Sequence, residues 1–115
     1  MFIVKKRYVR PNLEVEFPYN SLSVPTREDY PGFIKKEMFF LDNNLEKIVC
    51  WTWENEESYR YYWDTNIHIL QEYSIYVEEY CKQFGILVEK TFETFDAEYL
   101  QENHGITVEK VTKDN

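Results

Sequence analysis

Six aromatic side chains, Trp51, Trp53, Tyr59, Tyr62, Trp63 and Tyr73, carry most of the ligand chemistry this chain has to offer. An aromatic ring supplies a large apolar face and, at an indole N–H or phenol O–H, one polar handle, which suits a flat organic ligand. Trp53 ends one element, and Tyr59 and Trp63 fall about one and two turns into the next, so these three rings can converge. The expected pocket is therefore Trp51, Trp53, Tyr59, Trp63 and Tyr73. Ordinary core and dimer interface use the same residue types, and a filled core is the competing expectation.

The other reactive residues form no recognisable pattern. His68 and His104 are the only histidines, with no cysteine or carboxylate at metal-ligand spacing, so no metal site is expected. Glu54, Glu56 and Glu57 gather at a helix start, where the helix dipole accounts for them. Glu72, Glu78 and Glu79 read as a solvated face. Cys50 and Cys81 lack CxxC spacing and read as two reduced, half-buried thiols. GxSxG, P-loop, Rossmann and HExxH motifs are all absent. No catalytic residue and no cofactor follow from the sequence.

The elements that must position the aromatic group are legible between residues 31 and 95. FIKKEMFFL (33–41) reads as a strand, Asp42-Asn43-Asn44 as a hairpin turn of residues that tolerate positive φ, and LEKIVCWTW (45–53) as the returning strand. Leu45, Val49, Trp51 and Trp53 share one face, and Ile48 and Cys50 lie on the other. Asn55 is a helix N-cap. Apolar residues then recur at i, i+3, i+4 from Tyr59 to Phe84. One helix over 56–84 would reach ~44 Å, long for this chain, so a break is expected at Asp64-Thr65-Asn66. Gly85 suits the C-terminal end.

Around this segment, FIVKKRYV (2–9) is a first strand, and LEVEF (13–17) alternates as a short strand or extended arm. Residues 18–32, with Pro18, Pro25, Pro31 and Gly32, form a surface loop. ILVEKTFETF (86–95) is a further strand, with Ile86, Val88 and Phe92 on one face. Asp96 caps a short helix over 97–103, Gly105 ends it, and 106–111 adds an edge strand.

The 115 residues are expected to form a single domain, 1–115, with enough apolar and aromatic content (43 % and 18 %) to bury a core. The formal charge of −8 argues against a general nucleic-acid binder and against anionic membrane surfaces. No apolar run spans a bilayer, and the N-terminus places its apolar stretch ahead of its charges, the reverse of a signal peptide. A cytoplasmic location is expected. The bias toward Lys, Asn, Ile, Tyr, Phe and Glu points to an AT-rich genome.

The order of strand, proline-rich loop, hairpin, helix and strand resembles the dimeric α/β-barrel superfamily, and within it the antibiotic-biosynthesis-monooxygenase family. The likeness rests on Pro31-Gly32-Phe33 before a strand, the hairpin, and Trp53-Glu54-Asn55-Glu56-Glu57-Ser58 at the strand-to-helix junction. It implies an α+β, ferredoxin-like antiparallel sheet with helices on one face, paired with a second copy across the other. The haem-degrading branch would match its helical Trp to Trp63, but Tyr73 stands where its His belongs and no Asn precedes Asn12, so haem is not expected. The cofactor-free branch would match Trp53. RPNLEVEFPY (10–19) is similar to small uncharacterised proteins of tailed phages, which would put the chain in a host cytoplasm.

Two expectations of function follow. The first is a small homodimeric protein with a non-catalytic binding or assembly role. The second is a cofactor-independent, monooxygenase-like enzyme acting on an aromatic small molecule. A cavity between sheet and helices is the feature that bears on both.

Overall fold

In the computed structural model, residues 1–18 and 24–94 are described. Strand β1 (Phe2–Val9) is central, pairing antiparallel with β3 (Glu46–Trp53) on one side and β4 (Leu87–Thr94) on the other. Strand β2 (Phe33–Leu41) pairs antiparallel with β3, which gives the order β2-β3-β1-β4. Helices α1 (Glu56–Thr65) and α2 (Ile67–Phe84) connect β3 to β4 and cover one face. The result is an α+β fold with an open four-stranded antiparallel sheet, compatible with a ferredoxin-like arrangement.

Local chemistry sets these boundaries. Asn55 caps α1, its Oδ1 accepting from the Ser58 backbone N–H at 2.8 Å. Asn66 separates the two helices, and its Nδ2 donates to the Tyr62 carbonyl oxygen (2.9 Å) and the Tyr30 hydroxyl (2.8 Å). Gly85 ends α2 in the left-handed region, at φ 71°. Asp42, Asn43 and Asn44 all take positive φ in the hairpin, as their types allow.

Register decides which side chains meet the helices. Phe2, Val4, Lys6 and Tyr8 of β1 oppose Trp53, Trp51, Val49 and Lys47 of β3, and this is the covered face. From β4 it takes Val88, Lys90 and Phe92. A bulge at Ile34 shifts β2 by one residue, so Lys36 pairs with Trp51 and Met38 with Val49. Without the bulge Lys35 and Glu37 would face the helices instead. Leu70, Val77 and Cys81 of α2 close the core from above.

One feature departs from expectation. LEVEF (13–17) forms no strand. The Asn12 side chain accepts from the backbone N–H groups of Glu14 and Val15 (3.0 and 3.1 Å), so the chain turns where alternation suggested extension. Val15 and Phe17 pack against the core and Leu13 is exposed. The crossover from β1 to β2, expected as a surface loop, carries only a single 3-10 turn at Arg27–Asp29 in its described part. The expected helix over 97–103, the strand over 106–111 and His104 lie outside the described residues.

Candidate functional site

A cavity of about 310 Å³ lies between the sheet and α2, bounded also by the segment 24–28. That is the low end of the roughly 300–1,000 Å³ common for small-molecule sites. Trp51, Tyr59, Trp63 and Tyr73 line it. Trp53 and Tyr62 do not; both are fully buried behind it. Trp53 packs on Phe33, Tyr62 and Tyr59, at ring centroids of 5.3, 5.6 and 6.0 Å. Tyr59 stands 6.5 Å from Trp63. The three rings expected to converge do so, with Trp53 as the buried support and the other two as wall.

Five cations share the wall: Lys6, Arg27, Lys36, Lys47 and Lys90. Each strand supplies one lysine, and the 3-10 turn supplies the arginine. Tyr62 fixes that turn, its hydroxyl donating to the Pro25 carbonyl oxygen at 2.9 Å. The Arg27 guanidinium lies 4.5 Å from the Trp51 ring centre and 5.1 Å from that of Tyr62. The Lys90 ammonium lies 4.8 Å from the centre of the Trp63 ring. Lys6 and Lys90 are direct cross-strand partners, a like-charge pairing that opposes folding.

The ion pairs of the described residues are Arg7–Glu46, Arg7–Glu89, Lys35–Glu37 and Arg60–Glu56, and none includes a cavity cation. Glu28 is the one carboxylate among the lining residues. Lys6, Arg27, Lys47 and Lys90 lie over ring faces instead, at cation–π distance.

No family model, curated protein or solved structure matches the chain. The site is therefore read from its own chemistry. Loss of water, with Lys6 and Arg27 nearby, pushes Lys90 down to about 8. Burial is also the main cause lowering Lys6, Arg27 and Lys47. A folded-state value below the unfolded one means that the charged form opposes folding, fully below about 8 for Lys90 and less as pH rises beyond it. Lys90 is exposed as a residue, so solvent limits the size of this effect.

Burial pushes Tyr59 up to about 12 and raises Tyr8, Tyr62 and Tyr73 as well. These phenols stay neutral near pH 7 and give the cations no counter-charge. The indole N–H of Trp51, a wall residue, is buried without a hydrogen-bond partner among the described residues. The arrangement is a positive, donor-bearing, aromatic chamber inside an acidic protein.

The remaining sequence candidates lie elsewhere. His68 is exposed in the first turn of α2 and does not line the cavity. Cys50 and Cys81 are free thiols, half-buried and buried, both raised by burial. No three metal-ligating side chains come together among the described residues. No helix among them is long and apolar enough to cross a membrane.

Sequence reasoning missed the lysines, although their signal was present. Lys6 sits between Val4 and Tyr8, and Lys90 between Val88 and Phe92, each at the inward position of an alternating strand. An inward lysine repeated on several strands marks a polar interior site.

Proposed function

We propose that this chain is a non-catalytic binding module that holds a flat, ring-bearing small molecule in the cavity beneath its helices. One observation carries the reading: the rings of Trp51, Tyr59, Trp63 and Tyr73 border the same open volume. Three of these are half-buried, so a ligand can still cover more of their surface. Titration with a panel of naphthyl and purine compounds, neutral and phosphorylated, should give saturable quenching of tryptophan fluorescence by at least one member. Trp51→Phe should weaken that binding more than it weakens folding. Silence across the panel up to millimolar concentration would reduce the cavity to a packing gap. Oxygen uptake on adding a bound aromatic would move the chain to the cofactor-independent oxygenases.

The module works as a homodimer through the open face of its sheet, as the likeness to dimeric α/β-barrels implies. Phe39, Leu41 and Leu87 are 46–49 % exposed there, with Ile3, Val9 and Ile48 beside them. The charges on this face are largely paired in place, Arg7 with Glu46 and Glu89, and Lys35 with Glu37. A second copy can approach this face without the repulsion that a charge of −8 would cause elsewhere. Light scattering should give a dimer mass, and Phe39→Lys should convert it to a folded monomer. A wild-type monomer at high micromolar concentration would sink this part of the reading.

A further inference from the structure

We propose that the ligand of this cavity is a small aromatic molecule bearing a dianionic group, as in a nucleoside monophosphate, with its anion among Lys6, Arg27 and Lys90. This rests on the cavity being a ligand site and adds the ligand's charge.

The first argument is charge segregation. The chain has 21 acidic and 13 basic residues, yet the described residues of the cavity wall include five cations and one carboxylate. A fold with acid in excess could pair the cavity cations cheaply, as it pairs Arg7 and Lys35 on the opposite face. Leaving Lys6, Arg27, Lys47 and Lys90 without an ion pair among the described residues costs stability, because burial disfavours the charged form of each. Such local conflicts between stability and composition are where binding sites are found.

The second argument is geometry. Lys6 and Lys90 face each other across β1 and β4, and both are close enough to Arg27 for their charges to interact. Three cations from three elements therefore surround one space. A dianion there would gain charge-assisted hydrogen bonds and relieve the mutual repulsion of the three. Arg27 offers a planar fork suited to two oxygens of one phosphate.

The third argument separates this ligand from a polymer. The cavity is partly enclosed by α2 and the 24–28 segment, and its volume suits one ring with one anionic group. The acidic exterior would repel a nucleic-acid strand, but a small molecule need only enter the local field.

The test is calorimetric titration of the full-length protein with AMP, adenosine and inorganic phosphate at low ionic strength. AMP should bind at least about tenfold tighter than adenosine, and added salt should weaken it. Lys6→Met and Lys90→Met should each weaken AMP about tenfold while raising the midpoint of urea unfolding. Lys5→Met, on the open face, should leave AMP affinity unchanged. Equal affinity for AMP and adenosine would overturn the charge inference and leave the aromatic-ligand reading standing. Phosphate binding as tightly as AMP would support the anion site and overturn the aromatic part. No binding by any of the three, nor by the naphthyl compounds, would overturn both. If both Lys→Met proteins unfold more readily and AMP affinity is unmoved, the lysines are packing elements and the proposal fails.

Discussion

Trp53→Ala should cost about 3–5 kcal/mol, a large share of the roughly 5–15 kcal/mol that holds a domain together. The side chain has no exposed surface and sits where three strands and a helix meet. In register it opposes Phe2 of β1 and Phe33 of β2, and its ring contacts Tyr59 and Tyr62 of α1. Truncation opens a void the neighbours cannot easily fill, because Phe2 is held by Phe92, Tyr59 by Trp63 and Phe92, and Tyr62 by Tyr30 and the Pro25 carbonyl oxygen. Trp53→Phe should be far milder, at no more than about 2 kcal/mol, since it also removes an indole N–H that lacks a partner among the described residues. Ligand affinity should follow stability in neither case, because Trp53 stands behind the cavity wall. Urea melts of the two variants beside wild type make the check. A loss under about 1 kcal/mol for the alanine would mean the aromatic knot is not the centre of the core.

How much of this was legible in the sequence depended on whether a signal was local. The hairpin, the cap at Asn55, the break before Ile67 and the stop at Gly85 are each written in neighbouring residues, and the structure places all four as expected. LEVEF misled because alternation alone cannot weigh Asn12, whose side chain offers the backbone a turn in place of a ladder. The aromatic wall was visible as composition and spacing, except that Trp53 lies one layer too deep. The cation cluster was hidden twice. Net charge averages over the whole chain and so masks a positive interior. The inward position of Lys36 also depends on a bulge at Ile34 that no pattern announces.

Gly32→Ala should be the most damaging substitution outside the core. Gly32 has φ +85°, and a Cβ there would lie 2.1 Å from Ser58 Oγ and 2.5 Å from Ser58 Cβ. Two penalties combine: about 1–2 kcal/mol for an L side chain in the left-handed region, and about 1–3 kcal/mol for overpacking. The expected loss is about 2–5 kcal/mol. Neither neighbour can step aside. The Gly32 carbonyl oxygen accepts from the Glu54 N–H at 2.7 Å, and the Ser58 hydroxyl is tied to Asn55 Oδ1 at 3.0 Å within the cap of α1. Movement at this point would tilt the helix that carries Tyr59 and Trp63, so ligand affinity should fall along with stability. The partner variant Ser58→Gly separates the two penalties. It removes the colliding atoms at roughly 1 kcal/mol of helix propensity and leaves the backbone term in place. Gly32→Ala combined with Ser58→Gly should then lose less than the sum of the singles, by about 1–3 kcal/mol. Strict additivity would show that backbone conformation alone, and not the contact with α1, reserves this position for glycine.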